Sequence, residues 1–241
     1  MNQTQTLEKL RNLRLFGMEN AFETALQTQQ SFTVDQMVAY LVEAEWDDRQ
    51  NRKVNRYLKA AHFRYPASIE EVDFHTPRNL DQNNFLRLAD MSFIQKKENI
   101  IITGPTGTGK SFLSSAIGHQ ACIKGYKTAY FSTGKLFAKL QTARVDRSHH
   151  KIIQKIEKTD LLILDDFGLW PFEQMARLDL LEVIEDRHGK ASTLIASQIP
   201  LPNWYDIIGD QTIADAILDR MAHHAHRIKL QGESLRKNKK K

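Results

Sequence analysis

The sequence predicts an α/β protein, a parallel sheet flanked by helices and preceded by a small all-α N-terminal segment. Three observations carry this. Short apolar runs at 99–103 (NIIIT), 127–132 (KTAYFS), 160–165 (DLLILD) and 192–197 (STLIAS) alternate with amphipathic stretches. Apolar strands separated by helices form a parallel sheet covered on both faces. A complete GxxxxGK[ST] motif, Gly104-Pro-Thr-Gly-Thr-Gly-Lys110-Ser111, follows the first run and opens the first amphipathic stretch. Before about residue 98, apolar residues recur only at helical spacing.

In chain order, Leu7, Leu10 and Leu13 mark a first helix, and Phe22, Ala25 and Leu26 mark a second beyond Gly17. Thr33-x-x-Gln36 has the form of a capping box, which starts a third helix running through Met37, Leu41, Trp46 and Val54 to about His62. Pro66 and Pro77 punctuate a stretch of loops and short helices. Helical patterns at 110–124 (closed by Gly125), 134–142, 149–158 and 174–188 separate the strands, and a fifth strand fits 226–230. The expected domains are a helical one at 1–80, a linker and leading helix at 81–98, the sheet domain at 99–230 and a basic tail at 231–241.

Among 241 residues the formal charge is +5. Residues 227–241 alone hold seven Lys/Arg and one Glu, so the rest of the chain is close to neutral. A hydrophobic fraction of 41% with twelve Phe and three Trp is enough for a core and excludes wholesale disorder. The single Cys122 cannot form an intrachain disulfide and suggests a reducing compartment. Runs such as Leu161–Leu164 are too short to cross a bilayer, and the N-terminus lacks a signal-peptide core. The expectation is a cytoplasmic protein with no membrane partner.

The motif at 104–111 carries phosphate chemistry. Glycines let the backbone turn tightly, so successive N–H groups face a phosphate at the positive end of a helix. Gly104, Pro105, Thr106, Gly107, Thr108, Gly109, Lys110 and Ser111 are therefore the expected ATP cradle. Lys110 adds a point charge at the β- and γ-phosphates, and the Ser111 hydroxyl suits Mg²⁺. Fifty-five residues beyond Lys110, Leu-Leu-Ile-Leu-Asp165-Asp166 brings two carboxylates to a strand's C-terminal end, where ligands bind in open α/β sheets. Asp165 suits the Mg²⁺ shell; Asp166 either orients or deprotonates an attacking water or caps the following turn. Ser197 and Gln198 end another strand, where they either sense the γ-phosphate and position water or satisfy the strand end.

Residues 49–64 hold six Lys/Arg and no acid, and Arg49, Arg52, Lys53, Arg56 and Lys59 fall close to one helical stripe, with Arg64 beyond it. Such a stripe suits duplex DNA phosphates without strong sequence preference, because nothing in it resembles a base-reading code. The competing reading is a solvated face tied by Glu45–Arg49 and Asp48–Arg52 pairs. The Lys-rich tail either reaches phosphates or solubilises the chain. His223, His224 and His226 lack a carboxylate or Cys at ligand spacing and read as surface histidines.

Taken together, GPTGTGKS (104–111), LLILDDFG (161–168), TLIASQ (193–198), ILDRM (217–221), HRIKLQGESLRK (226–237) and the N-terminal AEWDDRQNRKVNRYLKAAHF resemble the IstB-like ATPases of insertion sequences over nearly the whole chain. The resemblance implies a P-loop AAA+ core, close to DnaC-type helicase loaders. It further implies an ATP- and Mg²⁺-dependent ATPase that forms homo-oligomers on duplex DNA and helps a transposase by presenting target DNA. It assigns Arg220, in ILDRM, as an arginine finger acting in trans on a neighbour's nucleotide. Two features depart from the common AAA+ pattern. Asp166 stands where most members have Glu, and 21 residues follow Arg220, too few for a separate lid domain. Neighbouring subunits are then expected to cover the nucleotide, with Arg236 in the Gly232–Arg236 segment standing in for a sensor arginine. The rival readings are a loader of a replicative helicase and a small-molecule P-loop kinase.

Overall fold

The computed structural model describes residues 3–28 and 31–235. Contacts divide the chain into two compact units, one up to Arg56 and one from Tyr57 onward.

The first unit is helical. Helix α1 (Gln3–Asn12), α2 (Phe16–Thr28) and the long α3 (Val34–Ala61) follow in order. The capping box starts α3 as its residue types predict: Thr33 N donates to Gln36 Oε1 at 3.0 Å, and Gln36 N donates to Thr33 Oγ1 at 3.3 Å. Gly17 sits in the first turn of α2, one residue inside the helix rather than in the connection before it. A Cβ there would overlap Ala44 O and Glu45 Cα, so only glycine permits this approach of α2 to α3. Glu45, 5% exposed, then caps α2: its Oε2 accepts from Gly17 N at 2.9 Å and Met18 N at 3.3 Å. A carboxylate is stabilised there by the positive end of the helix.

In the second unit, α4 (Gln82–Leu88) and α5 (Ser92–Gln95) precede β1 (Asn99–Thr103). There follow α6 (Lys110–Ile123), β2 (Thr128–Ser132), α7 (Thr133–Val145), α8 (His149–Glu157), β3 (Leu161–Phe167), α9 (Gln174–Arg187) and β4 (Ser192–Ser197). A 3₁₀ turn (Leu201–Asn203), α10 (Trp204–Ile208), α11 (Gln211–Ala222) and β5 (Ala225–Lys229) complete it. The five strands are parallel in the order β2-β3-β4-β1-β5. Alternation distributes each strand between two cores. Ile100, Ile102, Leu161 and Ile163 pack with α6 on one face, and Ile101, Leu162 and Leu164 pack with α7 to α11 on the other.

The boundary at residue 80 is corrected. Ala67, Ile69 and Val72 are buried in the same core as Phe85, Leu113 and Ile163, so the loops after residue 57 cover the sheet rather than extend the helical unit. Hydrophobic burial drives this: apolar residues spaced among prolines find their partners on the sheet face. No helix among the described residues is long and apolar enough to cross a membrane. The tail from 236 onward, including Arg236, lies outside the described residues.

Candidate functional site

Pairing brings the carboxyl ends of β1, β4 and β3 side by side: Thr103 lies opposite Ser197, and Ser197 lies opposite Phe167. The loop 104–109 leaves β1 there, its first residue held by Gly104 N donating to Ser197 O at 3.2 Å. Gly109 caps α6 at φ +95°, and a Cβ on it would run into the Arg78 guanidinium. Glycine is therefore needed at Gly109 for conformation and space alike. Thr108 is fully buried, its Oγ1 donating to Pro105 O at 2.9 Å. Lys110, 7% exposed, points back over the loop, with Nζ donating to Gly104 O at 2.7 Å and Pro105 O at 2.8 Å. Ser111 follows in the first turn of α6. The cradle residues predicted from sequence are thus gathered into one loop at a helix N-terminus, the geometry that binds phosphate.

Arg78, which no sequence motif marks, supports this loop from beneath. It is 3% exposed; Nη1 donates to Thr108 O at 2.9 Å and Nη2 to Asp73 O at 2.6 Å, while Nε is buried without a partner. Burial lowers its pKa, with Asp73 opposing. The segment after β5 also crosses the loop: Leu235 N donates to Gly107 O at 2.9 Å and Gln231 N to Arg78 O at 2.9 Å.

The carboxylate pair leaves β3 through an irregularity between Leu164 and Phe167, where Asp166 adopts φ +55°. A bulge of this kind re-aims side chains at a sheet's rim. Asp165 is 1% exposed. Its Oδ2 accepts from the Tyr130 hydroxyl and from Arg64 Nη1 at 3.3 Å, while its Oδ1 is buried with no partner. A buried carboxylate oxygen without a donor suits ligation of a divalent cation. Burial first, and then Asp165, pushes the Tyr130 phenol above its ordinary pKa, so it stays a donor.

Four residues are placed differently from their candidate binding roles. Arg64 does not extend the basic stripe; its Nη1 lies 2.8 Å from Asp166 Oδ2 and 3.3 Å from Asp165 Oδ2. Carboxylates attract a guanidinium more strongly than the sequence neighbourhood suggests. Ser197 is fully buried; its hydroxyl donates to Phe167 O at 2.7 Å and accepts from Ile199 N at 3.0 Å, so it satisfies the strand end and does not face phosphate. Arg49 and Arg52 are tied within α3, Arg49 to Glu45 at 2.6 Å and Arg52 to Asp48 at 2.6 Å. By contrast Gln198 meets the cradle directly, its Oε1 accepting from Thr106 Oγ1. Lys53 is half-buried, and Arg56 and Lys59 are exposed on α3. His226 pairs with Glu98 at 2.8 Å, and His223 contacts His224, neither being a metal set.

Arg220 lies at the other end of the sheet. Its carbonyl accepts from Asn99 Nδ2 at 3.2 Å, and Asn99 begins the strand whose far end feeds the phosphate loop. Its guanidinium rests 3.0 Å from Glu185 and donates to Ala216 O at 2.8 Å.

A phosphate loop after β1, a carboxylate pair near the carboxyl end of β3 and a polar residue after the intervening β4 define a P-loop nucleotide-binding protein of the AAA+ fold. Solved structures agree with that fold. DnaI is similar over 73% of this chain and 93% of its own, with a TM-score of 0.60 at 19% identity. The DnaC helicase loader is similar over 73% and 98%, with a TM-score of 0.53 at 18% identity. The family model for IstB-like ATP binding proteins matches residues 8–241, and the chain belongs to that family. An insertion sequence ATP-binding protein of Sinorhizobium fredii, y4pL, is 42% identical over 238 residues, covering 98% of this chain and 97% of the relative. The ATP-binding protein of insertion sequence IS1162 from Pseudomonas fluorescens is 40% identical over 198 residues, 81% of this chain and 86% of the relative.

Proposed function

We propose that this protein is a Mg²⁺-dependent ATPase that assembles on duplex DNA and serves as a transposition helper, presenting target DNA to the transposase of its element. The observation that carries the reading is the separation of its catalytic parts. Lys110, Asp165, Asp166 and Gln198 gather at the carboxyl end of the sheet, whereas Arg220 sits beside the start of β1 and cannot turn to its own phosphate loop. An arginine finger so placed serves the nucleotide of an adjacent subunit and couples hydrolysis to assembly. The names of the insertion-sequence relatives support the link to a transposase.

The chemistry follows from the residues. The loop N–H groups and Lys110 bind the phosphates of ATP. Ser111 and Asp165 would hold Mg²⁺, which supplies neutralisation of charge on the β- and γ-oxygens. Asp166, with Gln198 beside Thr106, orients the attacking water, and Asp166 takes its proton. Lys53, Arg56 and Lys59 meet DNA phosphates along α3, so affinity falls steeply with salt.

Sedimentation of the protein with duplex DNA tests the reading. ATP with Mg²⁺ should produce large complexes, and Lys53→Glu with Arg56→Glu should abolish them while nucleotide binding persists. An unchanged sedimentation coefficient on adding ATP sinks the assembly claim, and equal assembly by the double variant sinks the DNA assignment.

A further inference from the structure

Two carboxylates emerging side by side from one strand repel each other unless a cation lies near both. Here the cation is supplied by the chain itself. Arg64 Nη1 lies 2.8 Å from Asp166 Oδ2 and 3.3 Å from Asp165 Oδ2, so one guanidinium nitrogen bridges the pair. The bridge is nevertheless built to open. The Arg64 side chain is 41% exposed, against 1% for Asp165, and its guanidinium lies over the Tyr65 ring at 5.8 Å from the centroid. Half-exposed ion pairs are weak, and an arginine that leaves one re-enters water at little cost.

We propose that Arg64 is a built-in counter-ion of the Asp165–Asp166 pair, which it must yield to the divalent cation of the nucleotide site. This rests on the Mg²⁺-dependent reading above. The unpartnered Asp165 Oδ1 identifies the oxygen left for a cation, and the Arg64 contact on Oδ2 places a positive charge against that same carboxylate. Repulsion between a guanidinium and a divalent cation on one buried carboxylate exceeds what a half-exposed ion pair is worth. Cation binding therefore expels Arg64 from Asp165, and the arginine sets the cation concentration at which the site loads. Its role is positioning: it holds both carboxylates aimed while no metal holds them.

The test is direct counting of bound Mn²⁺ by electron paramagnetic resonance on full-length protein with a non-hydrolysable ATP analogue, beside melting temperatures in chelator and in saturating Mn²⁺. Arg64→Gln should bind Mn²⁺ roughly five- to tenfold more tightly than wild type, the loss of about 1 kcal/mol of competing ion pair. It should melt lower than wild type in chelator and at the same temperature in saturating Mn²⁺. Arg64→Lys, which keeps the charge and the least risk to folding, should fall between the two. Unchanged or weaker Mn²⁺ affinity in Arg64→Gln, or melting lowered equally with and without metal, overturns the counter-ion role. Wild-type protein that binds no Mn²⁺ beside the analogue overturns the Mg²⁺-dependent reading and this inference together, whereas wild-type binding that the variants leave unaltered overturns this inference alone.

Discussion

Arg78 spends its charge on backbone carbonyls. With Nη1 on Thr108 O and Nη2 on Asp73 O, it fixes the direction in which the last peptide before Gly109 points, and so turns the loop's N–H groups outward toward phosphate. Its positive charge, 3% exposed, also lies directly beneath the anion site. Replacing it with Met keeps the volume and removes both effects. Arg78→Met should weaken ATP binding by at least about tenfold, the worth of one charged hydrogen bond, and Arg78→Lys should restore part of it. Titration calorimetry with ADP and ATP checks this; an unchanged affinity for both would show that the loop holds its shape unaided. Neither Arg78 nor Tyr130 was legible in the sequence, whereas the tight turn at 104–109 and the start of α6 after it were. The cradle is a contiguous motif whose conformation follows from its own glycines. Arg78 reaches it from thirty residues earlier in the chain, across α4, α5 and β1, and Tyr130 reaches Asp165 only because β2 pairs with β3. Arg64 was legible as a basic residue but not by its partner, since its neighbours in the chain suggest DNA and its neighbours in space are Asp165 and Asp166.

At the scale of elements, α2 and α3 are joined through Glu45. Burial alone would raise its carboxyl, but the Arg49 hydrogen bond and the Met18 and Gly17 N–H groups outweigh burial and hold it below the usual glutamate value. A depressed folded-state pKa means that the stabilisation is complete above the unfolded value of 4.5 and is lost as pH falls through the lower folded one. Glu45→Gln should therefore lower stability by about 2 kcal/mol at pH 7, because a neutral amide accepts less strongly from Arg49 and the α2 N-terminus. The penalty should shrink as the pH is lowered from 7 to 3. Melting followed by circular dichroism at the two pH values decides; a penalty that stays constant with pH would mean that packing, not charge, joins the helices. The elements themselves were readable because each announces its own period and ends, as the Thr33–Gln36 box and the runs 99–103 and 192–197 do. The boundary was not. Ala67, Ile69 and Val72 carry no periodicity, and their place on the sheet depends on shape complementarity to Phe85, Leu113 and Ile163, which no local pattern encodes.

At the scale of the whole molecule, the distance between Arg220 and Lys110 within one chain becomes a statement about assemblies. The arginine is tethered to Glu185, 47% exposed, by a 3.0 Å pair that costs little to exchange for a nucleotide phosphate on a neighbour. If the finger acts in trans, each catalytic centre draws Lys110 from one subunit and Arg220 from the next. Lys110→Ala and Arg220→Ala should each be inactive alone on DNA, since every interface then lacks one partner. Mixed in equal amounts, they should form interfaces with an intact loop from the Arg220→Ala chain facing an intact finger from the Lys110→Ala chain. Random head-to-tail assembly makes about a quarter of interfaces complete in this way, so hydrolysis should return to roughly a quarter of the wild-type rate. The same mixture without DNA should stay near background if DNA gathers the subunits. Hydrolysis that never rises above the two variants measured separately would remove the finger from Arg220, and with it the argument that this chain hydrolyses ATP only as part of an assembly.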